Sequence, residues 1–228
     1  MKLRVATYNI HRAVGGDGRA DPSRIACVLT ELDADLVALQ EVSFGAQLPG
    51  ELLERLADSM GAEVIAGTTL HDARGHYGNA VLSRLPVETA RRFDLSVQGR
   101  EPRGAIELTT DANGVSLQVV ATHLGLRPAE RRHQIAQLLP LFDASTADLK
   151  ILLGDLNEWF LWGRPIRWLH RVFDPGPAPA TFPANRPWLA LDRVWVTPSR
   201  VLERLYVHDS ASARAASDHL PLVGELHI

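Results

Sequence analysis

At 228 residues with 46% hydrophobic side chains, the chain is long enough to bury a full core without covalent staples, and its one cysteine, Cys27, excludes an intrachain disulfide. The net charge is −3, which argues against a protein that grips bulk duplex DNA through a basic surface; only Lys2 and Lys150 among the 24 basic residues are lysines, a bias toward arginine that suits bidentate phosphate recognition but reads more simply as whole-chain coding composition. No run approaches the ~18–20 apolar residues of a membrane span, and Met1 leads into a strand pattern with no apolar leader, so a cytoplasmic protein is expected.

A strand is predicted over 3–10, then a helix over 22–32 with Asp21 as N-cap and Pro22 at its first position. Cys27 falls in the apolar pattern Ile25, Val28, Leu29, Leu32 and is expected to be a buried, inert thiol. A strand over 35–42 and a helix over 50–60, stopped by Gly61, come next. Residues 63–122 read as strands only, at 63–69, 78–83, 87–94, 104–110 and 115–122, with Asp111 to Gly114 as a hairpin turn. Pro128 opens a helix to about Phe142, with Ile135, Leu138, Leu139 and Phe142 on one stripe. A strand over 149–154 leads to an aromatic segment, 159–173, and a Pro-rich surface loop, 174–187. Strands over 189–197, 201–208 and 220–227 complete the chain. Strands that outnumber helices, joined by both hairpins and crossovers, predict an α/β fold. Two mixed, mostly antiparallel sheets would pack face to face with helices outside, a four-layer sandwich in a single domain over 1–228.

The chemistry gathers at strand ends. The apolar runs Val5 to Tyr8, Asp35 to Leu39, Leu117 to Ala121 and Ile151 to Leu153 stop at Asn9, Glu41, His123 and Asp155. Sheets buried on both faces collect their polar groups where strands leave the core, so these ends suggest one shared rim. Glu41 is the candidate ligand for a hard cation such as Mg²⁺, whereas alone it would read as a solvated or capping carboxylate. Asn9 and His11, two apart on an extended segment, can face the same way. Asn9 could orient a carboxylate or a metal-bound water, while His11 fits either a site residue or a hydrogen-bonded structural histidine. Asp155 and Asn157 in GDLN could hold and polarise an attacking water, or form an Asx-turn.

In the SDH sequence at 217–219, neighbours on extended backbone project to opposite sides, so Asp218 is not placed to orient His219. Asp192, an acid inside the apolar run LALDRVWV, is the better partner, because a carboxylate on one imidazole nitrogen fixes the tautomer and raises basicity. The competing reading pairs Asp192 with Arg193 or a loop arginine. Asp218 is left for a metal or water. His123 could donate to a phosphoryl oxygen and Arg103 could clamp phosphate, against plain readings as a core histidine and a solvated arginine. Tyr77 and Asn79 in HYGNAVLS are weaker substrate candidates.

The ordered set YN, QE, GNAVLSR, THLGL, GDLN, LDR and SDH resembles the endonuclease/exonuclease/phosphatase superfamily, the deoxyribonuclease-I-like fold, from Asn9 to the final strand. The resemblance implies that Glu41 binds Mg²⁺ or Mn²⁺ with help from Asn9 and that Asp155 and Asn157 position the nucleophile. It further implies that His123 and His219 serve phosphate binding and proton transfer, with Asp192 behind His219 and Asp218 on the metal or water side. HYGNAVLSR, THLGLRPAERRHQ, GDLNEW, TFP and LALDRVWV are most similar to a bacterial branch of small uncharacterised members. Some of these are similar to proteins encoded beside cardiolipin synthases. Two departures stand out: His11 replaces the acid of abasic-site nucleases, and no lysine-rich arm is present.

The expected activity is Mg²⁺-dependent hydrolysis of a phosphoester by in-line attack of water, on a phospholipid or small phosphodiester. A nuclease acting on nucleic acid is the alternative, and a non-catalytic phosphate- or metal-binding module the third. Trp159, Phe160, Trp162 and Trp168, interleaved with Arg164, Arg167 and Arg171, suit a peripheral membrane contact, stacked bases or ordinary packing. No obligate protein partner is inferred.

Overall fold

A computed structural model describes residues 1–45, 50–72 and 75–228, side chains excepted at 71 and 72. Six strands form the first sheet: β1 (Lys2–Asn9), β2 (Leu36–Gly45), β3 (Glu63–Asp72), β4 (Gly75–Ser83), β10 (Leu202–Val207) and β11 (Leu222–His227), in the order β10-β11-β1-β2-β4-β3. The second sheet runs β5-β6-β7-β8-β9, from β5 (Val87–Asp94), β6 (Gly104–Ala112), β7 (Val115–His123), β8 (Leu149–Asp155) and β9 (Asp192–Thr197).

The strands alternate between two buried faces, which is why they read as nearly continuous apolar runs. Val5, Leu36, Ala38, Val119, Ile151 and Leu153 fill the layer between the sheets. Ala6, Tyr8, Val37 and Leu39 face outward from the first sheet and are covered by α1 (Pro22–Leu32), α2 (Glu51–Met60) and α5 (Ala211–Ala216). Val120 and Leu152 face outward from the second, under α3 (Pro128–Asp143) and α4 (Arg164–Leu169). The result is the expected four-layer α/β sandwich.

Each sheet holds one parallel pair, β1 with β2 and β7 with β8, and each pair is joined by a crossover helix, α1 or α3. Parallel neighbours end at the same edge. Asn9 therefore lies level with Gln40, beside Glu41, and His123 level with Asp155. The two crossovers are what bring distant polar groups to one rim.

The local signals behave as their chemistry dictates. The Asp21 carboxylate accepts from the Ser23 N–H at 3.0 Å as an N-cap, and Gly61 ends α2 at φ 63°. Cys27 corrects the sequence expectation, because it is exposed. The buried residues of α1 are Ile25, Val28, Leu29 and Leu32, and a residue at 27 falls off that stripe at ~100° per residue. The strand expected over 189–197 begins only at Asp192, with Leu189 held instead in an isolated bridge to Phe182. The aromatic segment divides: Ile166, Leu169 and Phe173 enter the core through α4, while Trp159, Phe160, Leu161 and Trp162 are exposed. No helix among the described residues is long and apolar enough to cross a membrane.

Candidate active site

Both sheets end at a cleft of about 470 Å³. Asn9 is its central brace. The amide oxygen accepts the His11 N–H at 3.1 Å, which turns Nδ2 the other way, where it donates to Glu41 Oε1 at 3.2 Å and Asp155 Oδ2 at 3.1 Å. One side chain of the first sheet thus ties together a carboxylate from each sheet. With one lone pair of its oxygen on the His11 N–H and its Nδ2 on both carboxylates, Asn9 is placed to orient the candidate ligands.

Glu41 reaches the cleft through a bulge in β2, where the register with β4 slips between Leu39 and Val42 and Glu41 takes φ 57°. A left-handed glutamate is strained, and such outliers collect at functional sites where the surroundings enforce them. The other Glu41 oxygen accepts no hydrogen bond from the described residues.

On the second sheet, Asp155 is buried, with Oδ1 accepting the Asn157 N–H at 2.8 Å. The preceding residue must be glycine: at φ 148° a Cβ on Gly154 would lie 1.9 Å from the Thr122 carbonyl oxygen. Asn157, at φ 50°, donates from Nδ2 to the Leu124 carbonyl at 2.9 Å and stands 3.1 Å from His123 Nε2. Burial first, and the Arg103 guanidinium second, push the His123 pKa down to about 3. His123 is therefore neutral near pH 7, a hydrogen-bonding group rather than a cation.

His219 is the opposite case. Burial works against its charge, but Asp192, 2.9 Å from Nδ1, with Asp155 and Asp218 beyond, overcomes it and raises the pKa to about 10. Asp192 is fully buried and its Oδ2 also accepts the Thr181 hydroxyl at 2.5 Å. The Phe182 ring packs 4.8 Å from the imidazole. His219 Nε2 then faces Asp155 Oδ2 at 3.8 Å. Two histidines in one cleft are thus held in different charge states.

Among the described residues, two donor sets in this cleft could hold a cation. Asp155, Asp192 and His219 offer atoms within 4.8 Å of one another, but Asp192 Oδ2 and His219 Nδ1 are already committed to each other. Glu41 with Asp155, both braced by Asn9, is an all-oxygen set with an open position on Glu41, which fits a hard divalent cation better.

Of the other predicted residues, Arg103, Tyr77 and His11 line the cleft. Arg103 is buried and bonded to Glu101 at 2.8 Å, and its Nε has no partner among the described residues. His11 lies 3.7 Å from Asp218, and both side chains are about two-fifths exposed. Asp218 and Asn79 are not among the residues that line the cleft, and the Asn79 amide donates to the Gly104 carbonyl at 3.2 Å. Sequence reasoning did not single out Arg12, whose guanidinium sits 4.4 Å over the Tyr77 ring, or Thr181 and Phe182 as partners of the Asp192–His219 pair. It also missed the buried ion pair Arg131–Glu158, 3.1 Å, that fixes the GDLNEW loop. Signals were available in TFP at 181–183 and, for the ion pair, in the THLGLRPAERRHQ and GDLNEW stretches.

The sequence and the fold both have recognisable relatives among known proteins. The profile of the Endonuclease/Exonuclease/phosphatase family matches residues 6–219. "Uncharacterized protein YbhP" of Escherichia coli is 32% identical, the match covering 100% of this chain and 97% of that protein. A solved endonuclease/exonuclease/phosphatase from Beutenbergia cavernae is 28% identical, with TM-score 0.78 over 100% of this chain and 72% of the other. The mannosyl-6-phosphatase Bt3783 of Bacteroides thetaiotaomicron shares the fold at 20% identity, TM-score 0.72, with 99% and 100% of the chains covered.

Proposed function

The chain belongs to the Endonuclease/Exonuclease/phosphatase family, and from that premise we propose that it is a divalent-metal-dependent phosphoesterase acting on a phospholipid or small phosphodiester. The observation that carries this reading is the joining, in one cleft, of the Asn9-braced carboxylates Glu41 and Asp155 with the Asp192–His219 pair.

The donor set suits Mg²⁺ or Mn²⁺ on Glu41, and such an ion supplies Lewis-acid polarisation of a phosphoryl oxygen. Asp155 and Asn157 face the same space and hold the attacking water, Asp155 as proton acceptor. Arg103 and neutral His123 meet the phosphoryl oxygens from the second sheet. His219, cationic through Asp192, offers Nε2 as the group that neutralises charge and returns a proton when the leaving oxygen becomes basic. Asp218, in contact with His11, adds its charge to the field around His219 and is the candidate for the metal or water side of the site. The slight negative charge of the chain favours a small or lipid diester over duplex DNA.

The reading is tested with a panel of bis-para-nitrophenyl phosphate, para-nitrophenyl phosphate, phospholipids, abasic DNA and RNA, in Mg²⁺, in Mn²⁺ and after chelation. Diester turnover that disappears with chelator is expected. No turnover on any substrate with either metal would reject the proposal, and turnover restricted to nucleic acid would replace its substrate class.

A further inference from the structure

The cleft opens beside an apolar surface that the chemistry just described does not use. Phe160, Leu161 and Trp162 are 46%, 49% and 71% exposed, and Leu126, which lines the cleft, and Trp188, which precedes the cleft residue Leu189, are 61% and 70% exposed. Isolated exposed apolar residues are ordinary, whereas consecutive ones are not. The rings form a chain, Trp159 to Phe160 at 6.1 Å and Phe160 to Trp162 at 5.9 Å. Their base is rigid: Trp159 lies 5.3 Å from the guanidinium of Arg131, which is itself fully buried and paired with Glu158. Trp159 and Leu126 also line the cleft, so the surface is continuous with the site.

Charge separates the possible partners. In a chain of net charge −3, residues 159–173 hold three arginines and no acid. Arg164, Arg167 and Arg171 are exposed along and just after α4. An apolar tip flanked by cations complements an anionic surface, and both a bilayer and nucleic acid are anionic. Bases need flat stacking partners. Leu126 and Leu161 offer none, but both suit acyl chains, with tryptophan at the headgroup level and arginine on the lipid phosphates.

We propose that the loop Trp159–Trp162, with the arginines that follow it, seats the protein on an anionic lipid bilayer and points the cleft at phosphoesters presented by that surface. The seating itself is independent of turnover; only the substrate it delivers rests on the phosphoesterase reading.

The test is cosedimentation with vesicles of phosphatidylcholine alone and of phosphatidylcholine with phosphatidylglycerol, across a salt series. Wild type is expected to bind only the anionic vesicles, less as salt rises. The double variant F160A/W162A should bind them roughly tenfold or more weaker, and R167E/R171E should lose the salt-sensitive part. Both pairs are exposed and off the cleft lining, so circular dichroism and turnover of soluble bis-para-nitrophenyl phosphate should match wild type. Equal binding by F160A/W162A, or no binding by wild type, overturns the inference, as does a Trp162-dependent shift of single-stranded DNA without vesicle binding. Vesicle binding without turnover of any phosphoester would overturn the proposed activity and leave the bilayer contact standing.

Discussion

The two sheets furnish unequal halves of the cleft. Asp155, Asn157, His123 and Asp192, from the second sheet, are buried and interlocked. From the first, Glu41 and His11 are half-buried, and Glu41 keeps one oxygen free of the described residues. Donors fixed before substrate arrives need no reorganisation during reaction. Open positions are what a cation and substrate need. The second-sheet half is held by bonds already made, some of them to Asn9 and His219 of the other side, whereas Glu41 keeps a position open for what it binds. His219 belongs to the first sheet's side of the chain but is captured by Asp192 of the second, which joins the halves.

This contrast can be broken by substitution. Asp155→Ala should have the largest effect, lowering kcat to near background by a factor of roughly 10³ or more. It also strands the Asn9 amide and the Asn157 N–H, so stability should fall by about 1–3 kcal/mol in chemical denaturation. Asp192→Asn should lower kcat by roughly 10²-fold or more and narrow the pH range of activity, because His219 loses the partner that keeps it charged. Glu41→Gln should instead weaken the apparent Mg²⁺ affinity by roughly 10–100-fold with Tm unchanged, measured by metal titration of turnover. A large loss of Tm in Glu41→Gln, or none in Asp155→Ala, would erase the distinction between the halves.

A smaller effect lies far from the cleft. Glu31 accepts from the Ser210 hydroxyl at 2.6 Å and lies 2.8 Å from His208, tying α1 to the segment before α5. Hydrogen bonds from Ser210 and Ser212, then His208, lower its pKa from the ordinary 4.5 to about 2. A depressed carboxylate stabilises the fold above its unfolded value and loses that contribution as pH falls. Glu31→Gln should therefore reduce Tm slightly at neutral pH, and the difference from wild type should vanish between pH 4.5 and about 2.

Much of the site was legible because four apolar runs of strand length each stop at a residue able to bind a metal or move a proton. Asp192 was legible for a related reason, since an acid in an apolar strand needs a buried partner. Thr181, Phe182 and Arg12 were not, because they come from loops whose paths depend on tertiary packing. Asn79 shows the reverse failure: a polar residue near a motif turned out to support the backbone under Arg103. Residues 211–216 (ASARAA) form a helix too short and too small in its side chains to leave an amphipathic period, so α5 escaped notice. Cys27 was misplaced by counting an apolar window instead of following its face.

The joining of the two halves is tested most directly by Mg²⁺-dependent hydrolysis of bis-para-nitrophenyl phosphate by wild type, Glu41→Ala, His219→Ala and the double variant. Each single variant is expected to lose roughly 10²-fold or more in kcat, and the double variant little beyond the worse single. Wild-type rates in either single variant would contradict a shared site.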